Sequence, residues 1–410
     1  MADIRQLRID RLGAQGDGIA DVDTKNIFVP YALPGESIEA EVEGDRGRLL
    51  RVIEPSSDRV TPICKHFGAC GGCSVQDLAV DAYAAWKREL VIQAFSARGL
   101  NPVVEPLQRP QGKRRRAVLT AMRSDAGIAI GFHEAASHAL VAINECPVLE
   151  PKIVSALPSI GNLIAPLLSK RGEARLTITL TSAGLDVDIE GTGRQLTPDV
   201  RIALASAASA LGLARVVVGG DIIVETLQPF LRFGPADVVL PPGVFVQAVE
   251  AAESEIARRI VASLSKVKKV ADLFCGMGAF TFPIAEKARV AAFDGSRTAI
   301  AALSDAAKKT SGLKPVLATV RDLFRDPLSP IELNEFDVVV FDPPRAGAEA
   351  QSERLARSKV KTAIAVSCNP ATLARDARHL VDGGFKIDSV TPIDQFAYSA
   401  HVEVVAVFRR

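Results

Sequence analysis

No stretch of this 410-residue chain stays apolar for long enough to span a bilayer, and the opening MADIRQLRID alternates charge with apolar residues instead of building a signal-peptide core. No membrane partner is therefore expected, and the protein reads as cytoplasmic. Net charge is nearly absent too: 49 basic residues against 48 acidic ones leave +1. Without a global positive field, a nucleic acid would have to be held by local patches. Aromatic residues are only 5% of the chain, so base-stacking surfaces are few and sequence readout has no obvious residues. Cysteines number six. In a reducing compartment they do not form three structural disulfides, so each is a metal ligand, a nucleophile or a small core residue.

The length and a hydrophobic content of 48% are enough for two or three ordinary domains. Residues 1–57 lack helical periodicity and run as short alternating strands broken by Gly, Asp and Pro. A small five-stranded barrel of the oligonucleotide-binding type would close such a segment without exposed edges. The stretch 77–100, DLAVDAYAAWKRELVIQAFSARGL, reads as a helix stopped by Gly99 and expected to pack on the C-terminal unit. Residues 58–76 and 101–244 mix β segments such as RLTITLTSAGLDVDIEG with Ala/Leu helices, a central α+β unit. From 245 to 410 the pattern is regular: a helix over 248–264, then strands KKVADLF, RVAAFD, KPVLAT, FDVVVFD and KTAIAVS, and a helix over 370–381. That order predicts an α/β, Rossmann-like parallel sheet with helices on both faces and ligands at the carboxyl ends of its strands.

Successive strand ends carry a nucleotide-site pattern. ADLFCGMGAFTF follows a strand and opens a helix, with Gly276 and Gly278 allowing close backbone approach to a ligand. A dinucleotide fingerprint needs a third glycine where Thr281 stands, so NAD loses ground. AFDGS places Asp294 to accept both ribose hydroxyls, and TVRDLF places Asp322 to read an adenine amino group. Alone, either aspartate reads as a helix N-cap; in series with the glycine turn they lay out an S-adenosylmethionine site. At the next strand end FDPPRAG carries Asp342, but Arg345 stands where an amino-group methyltransferase would place a base-stacking aromatic.

One strand later, SCNPATLARD sets Cys368 before a helix whose N-cap is Asn369 and whose first residue is Pro370. The helix dipole favours a thiolate there, so a lowered pKa is expected. Carbon 5 of uracil is a poor nucleophile toward a methyl sulfonium. Thiolate addition to carbon 6 makes an enolate that shares its charge with carbon 5, which then takes the methyl group. A base must afterwards remove the carbon 5 proton so that the thiolate can leave, and Glu403 in HVEVVAVFRR is the candidate. DNA cytosine methylation is disfavoured, because its enzymes carry Pro-Cys and here Ser367 precedes Cys368.

Cys64, Cys70 and Cys73 in CKHFGACGGCSVQ, with Cys146 in NECPVLEP, offer four soft ligands. They suit zinc or a cubane iron-sulfur cluster, and the residues alone leave the two nearly even. The basic run GKRRRAVL over 112–119 reads equally as a phosphate-contacting patch and as a solvated face.

Taken together, SCNPATLARD, FDPPRAG, DLFCGMG, FVQ and HVE resemble the S-adenosylmethionine-dependent RNA uracil-C5 methyltransferases over essentially the whole chain. The resemblance implies Cys368 as nucleophile, Glu403 as base, and Gln247, Phe274, Asp294 and Asp342 in the cofactor site, with Asp322 aligning less securely. The chain departs from the family at Ala279, where Asn is frequent, and in FAYSAHVE, which lacks the usual Pro-His-Thr. The family's ribosomal-RNA subgroup carries a [4Fe-4S] cluster on cysteines spaced like Cys64, Cys70, Cys73 and Cys146, and GAQGDGIA and IFVPYALPGE resemble its TRAM domain. The implied activity is 5-methyluridine formation in 23S ribosomal RNA by a monomer, with transfer RNA as the alternative substrate. A non-catalytic RNA-binding iron-sulfur redox sensor is the reading from a different class.

Overall fold

The computed structural model describes residues 3–410 apart from 24, 126, 136 and 195, and arranges them in three large sheets and a hairpin. No helix among the described residues is long and apolar enough to cross a membrane. In the first sheet the strands follow the order Asp3–Arg8, Ser37–Glu43, Arg46–Glu54, Lys25–Val29, Gly18–Val22, Arg11–Leu12. Its two ends are one continuous run of chain. Ile9 donates its N–H to the Glu36 carbonyl and Asp10 donates to that of Ile19, so the first strand bends there and pairs with both ends. The sheet thus curls into a barrel, and the five strands expected become six segments because the bend divides the first. Alternation along Ser37–Glu43 turns Ile38, Ala40 and Val42 inward against Leu7, Ile27 and Val29.

The second sheet has the order Asp221–Glu225, Arg215–Val218, Gly184–Glu190, Glu173–Thr181, Arg116–Ser124, Gly127–His133, Leu140–Ala142. Its neighbours are antiparallel except Gly184–Glu190 with Arg215–Val218, which are joined across the helix Pro198–Ala210. That helix and Pro151–Ile164 pack Ile153, Leu157, Ile160 and Leu204 onto the sheet. Arg215 is buried and grips Asp186 with two hydrogen bonds of 2.8 and 2.9 Å, while its third nitrogen donates to the Leu240 carbonyl at 2.8 Å.

The third sheet carries the strand ends of interest. Its order is Val316–Val320, Arg289–Asp294, Lys269–Leu273, Val338–Phe341, Thr362–Ser367, Glu403–Arg409, Lys386–Ile393. The first five are parallel, and the order reverses between Lys269–Leu273 and Val338–Phe341, where doubly wound sheets bind their ligands. The five strands read as parallel are so, and beyond them Glu403–Arg409 runs antiparallel to both neighbours. Residues alternate between two cores: Val270, Val290, Val338, Val340, Ile364 and Val405 line one face, and Ala271, Leu273, Val339, Phe341, Ala365 and Phe408 the other.

Two further pieces complete those cores. The hairpin Phe230–Phe233 with Ala236–Val239 contributes Leu231, Phe233 and Val238 to the first. The helix Val80–Ser96 contributes Val91 and Phe95 to the second. Its Trp86 indole N–H donates at 3.2 Å to the Gly13 carbonyl, in the loop between the barrel strands Arg11–Leu12 and Gly18–Val22.

Asp186→Ala should destabilise the protein by about 3–5 kcal/mol in chemical denaturation, because it removes both carboxylate hydrogen bonds of the buried Arg215 and leaves it only Glu225 at 3.6 Å as an acidic neighbour. A loss under about 1 kcal/mol, the range of an exposed pair, would mean that the guanidinium is satisfied by other groups.

Candidate active site

After Leu273 the chain turns through Phe274, Gly276 and Gly278, all at positive φ (60°, 53° and 96°). A Cβ on Gly278 would stand 2.8 Å from the Phe282 ring, so that position requires glycine for packing as well as for conformation. The Gly276 N–H donates to Asp294 Oδ2 at 2.9 Å and the Ser296 N–H to Oδ1 at 2.7 Å, so Asp294 fastens the turn to the next strand end. Each oxygen keeps lone-pair capacity for a ligand. Asp322 is more exposed, and its Oδ1 accepts from the Phe324 and Arg325 N–H groups at 3.0 and 3.3 Å, a cap on its own turn. The Phe274 ring lies 5.3 Å from that of Phe324 and gives this edge of the site an aromatic border. Thr281, the residue in place of a third glycine, donates from Oγ1 to Asp272 Oδ2 at 2.5 Å. The other Asp272 oxygen is buried without a partner, and burial pushes that carboxyl up to about 7.

Beyond Phe341, a chain of side-chain amides joins two buried carboxylates. Gln247 Nε2 donates to Asp342 Oδ2 at 3.1 Å. Gln395 Nε2 donates both to Gln247 Oε1 at 2.7 Å and to Glu403 Oε2 at 3.2 Å. Burial, followed by the charge of Asp272, pushes Asp342 up to about 7 despite the Gln247 bond. Burial, followed by Asp342, raises Glu403 well above the usual carboxylate range. Gln247 is fixed in turn by Arg115, which donates to its carbonyl at 3.3 Å and pairs with buried Glu253 at 2.9 Å.

The reversed strand explains where Glu403 lies. Val404 stands opposite Ser367 in the antiparallel register, so Glu403 and Cys368 are the next residues along, both at the carboxyl edge. Asn369 caps the following helix as expected, its Oδ1 accepting from the Ala371 N–H at 3.1 Å with Pro370 as first residue. The lowered thiol pKa expected there is corrected. Burial pushes Cys368 up to about 11, and the Glu403 and Asp342 carboxylates add to the rise, outweighing Arg345. Arg345 donates to His401 Nε2 at 2.9 Å, and its carbonyl accepts from Asn369 Nδ2 and Thr372 Oγ1, both at 3.2 Å. The Asp-Pro-Pro-Arg turn is thereby tied to the cysteine's helix.

Cys64, Cys70, Cys73 and Cys146 line one small cavity, shared with Arg114 and Phe132. Burial, first of all, raises the thiols of Cys70, Cys73 and Cys146. Among the described residues, no group of three or more His, Cys, Asp or Glu side chains is placed to hold a metal ion. Cys275 is buried in a hydrophobic core. A larger groove of about 670 Å³, lined by Ile63, Ile130, Ile143 and Leu157 among others, adjoins Cys146 and touches none of the strand-end residues. The basic run 112–119 is mostly turned into the protein: Arg115 is buried, Arg114 lies over the Phe396 ring and Arg116 over that of Phe245. Sequence reading missed Asp272, Gln395 and Arg115. It also missed Lys87, although a lysine on the stripe Tyr83, Lys87, Val91, Phe95, spaced four apart and buried, is a detectable signal.

Glu403→Gln removes a negative neighbour and should move the titration of Cys368 downward from about 11, whereas Arg345→Gln should move it upward. Peptide-resolved iodoacetamide labelling against pH reads both. An unchanged or raised value in Glu403→Gln would mean that the carboxylate does not act on the thiol.

Residues 242–410 match the family model described as tRNA (Uracil-5-)-methyltransferase. The chain is 46% identical over 415 residues to an uncharacterized RNA methyltransferase of Caulobacter vibrioides, covering 99% of this chain and 100% of that one. It is 27% identical over 423 residues to the 23S rRNA (uracil(1939)-C(5))-methyltransferase RlmD of Vibrio vulnificus, covering 99% and 96%. It shares its fold with the Pyrococcus abyssi tRNA (uracil-54, C5)-methyltransferase solved in complex with S-adenosyl-L-homocysteine: TM-score 0.76, 23% identity, 98% of this chain and 100% of that one. With the Rossmann-like sheet, its glycine turn and the thiol beside a buried carboxylate, these relatives establish that the chain belongs to the S-adenosylmethionine-dependent RNA uracil-C5 methyltransferases.

Proposed function

We propose that this enzyme forms 5-methyluridine in ribosomal RNA, with Cys368 adding to uracil carbon 6 and Glu403 removing the carbon 5 proton. The observation that carries the reading is the antiparallel register that puts Glu403 and Cys368 side by side at the ligand edge of the sheet. Bound S-adenosylmethionine supplies an electrophilic methyl group. The residues suit such a ligand: Asp272, Asp294 and Asp342 surround the turn 274–278, two of them held up near 7 by burial, and a cation there would be favoured. Phe274, Gly276, Gly278, Gln247 and Asp322 complete that site in this reading.

In the free enzyme burial, with the neighbouring carboxylates adding to it, holds the Cys368 thiol protonated, which restrains it until positive charge joins Arg345 in the site. A flipped uridine presents carbon 6 to the thiol and carbon 5 to the methyl group. Glu403, raised by burial, is the stronger base for it, and Gln395 holds only one of its oxygens, leaving the other for the proton. The bonds balance: as sulfur joins carbon 6 the thiol proton leaves to solvent and the C5=C6 double bond opens; carbon 5 would take the methyl group as its bond to the sulfonium sulfur breaks; the C5 proton then passes to Glu403, the S–C6 bond breaks and the double bond returns.

Ribosomal RNA is favoured over transfer RNA by the four cysteines and the N-terminal barrel, which we read as a TRAM domain, and by the name of the Vibrio vulnificus relative. Cys64, Cys70, Cys73 and Cys146 would hold a closed [4Fe-4S] cluster. Four thiols lining one cavity fit it, because a cubane spreads its ligands over four irons and needs them farther apart than a single ion does. Protein purified without oxygen should then carry about four irons and four sulfides per chain. Zinc, or no metal, would remove the cluster from the proposal.

Cys368→Ala should abolish methylation while S-adenosyl-L-homocysteine affinity stays unchanged; retained turnover would sink the mechanism. Wild-type enzyme given total RNA containing 5-fluorouridine should form a denaturation-resistant adduct that maps to ribosomal RNA, since fluorine cannot leave as a proton. An adduct in transfer RNA would change the substrate, and none at all from cluster-loaded protein would favour the sensor.

A further inference from the structure

The loop between the last two strands to pair, 394–402, carries Gln395 and His401 and delivers the chain to Glu403, yet it is fastened from outside its own sheet. Lys87 of the helix Val80–Ser96 is fully buried beneath it. Its ammonium has three protons and spends them on three points of the loop: Asp394 Oδ1 at 2.6 Å, the Phe396 carbonyl at 2.9 Å and the His401 carbonyl at 2.8 Å. Tyr83, one turn earlier, donates its hydroxyl to Asp394 at 2.9 Å and accepts from the Tyr398 N–H at 3.0 Å. On the loop's other side the N–H groups of Ser74 and Val75 converge on the Tyr398 carbonyl at 2.8 and 3.3 Å. Two of the loop's backbone carbonyls, those of Phe396 and His401, thus turn onto one point charge.

We propose that Lys87 is a positioning residue for proton removal, holding the loop so that Gln395 and the Glu403 carboxylate meet carbon 5 in register. The inference rests on the reading of Glu403 as base. Asp394 directly precedes Gln395, and His401 lies two residues before Glu403, so the three bonds of Lys87 bracket the base and its orienting amide. Without the ammonium, the buried Asp394 carboxylate keeps only neutral Tyr83 within hydrogen-bond reach and the His401 carbonyl loses its donor, so the loop has reason to rearrange. The addition and methyl-transfer steps depend first on Cys368 and the glycine turn, which the loop touches only through the Gln395–Gln247 and His401–Arg345 bonds. Loss of Lys87 should therefore stall the reaction late.

The test is a partial-reaction assay with ordinary uridine RNA and methyl-labelled S-adenosylmethionine, run on full-length Lys87→Met beside Glu403→Gln. Glu403→Gln should trap a methyl-labelled, denaturation-resistant protein-RNA adduct. Lys87→Met should trap the same adduct, with turnover down about tenfold to a hundredfold and S-adenosyl-L-homocysteine affinity unchanged. A merely structural role would lower adduct and turnover together, and that result overturns the inference, as does wild-type turnover. An adduct in neither variant brings down the Glu403 reading first and the inference with it. If Lys87→Met does not fold, Tyr83→Phe keeps the ring and the lysine but removes both hydroxyl bonds; it should trap the adduct to a smaller extent, and wild-type turnover without adduct overturns the proposal.

Discussion

One reversed strand organises the site. In a wholly parallel sheet the start of Glu403–Arg409 would lie at the amino edge, a sheet's depth away from the ligand edge. Running it antiparallel between Thr362–Ser367 and Lys386–Ile393 lets a strand begin where its neighbour ends, and the first side chain of one meets the residue just past the other. The geometry depends on backbone ladders, which are stiffer than any loop.

That placement carries an electrostatic cost that the rest of the site manages. Asp272, Asp342 and Glu403 are buried within one region, and desolvation raises each of them. The amide chain through Gln247 and Gln395 satisfies them in part without adding charge, and Arg345 is the cation that acts on the thiol. A site so poor in positive charge is suited to a cationic methyl donor.

Much of this was readable in advance. The glycine turn, Asp294, Asp342, Cys368 with its Asn-Pro cap, and the strand-helix alternation are local patterns, fixed by backbone conformation and periodicity. The reversal of the last strand was not, because a hydrophobic run such as VEVVAVF is the same in either direction. The thiol's environment escaped for a related reason: the helix end is written in adjacent residues, while the burial of Cys368 and the carboxylates of residues 403 and 342 arise through tertiary structure. Gln395 and Asp272 carry no motif, and the burial of Arg115 in a run of three arginines depends on Glu253.

The lone tryptophan has a use that its bond to the barrel suggests. Trp86 shares its helix with Lys87 and reaches the Gly13 carbonyl through the indole N–H, so a single chromophore sits at the joint between the barrel and the helix beneath the loop 394–402. With no second tryptophan to dilute it, its emission reports the local polarity of that joint, an intrinsic optical gauge of whether the two remain docked when RNA arrives.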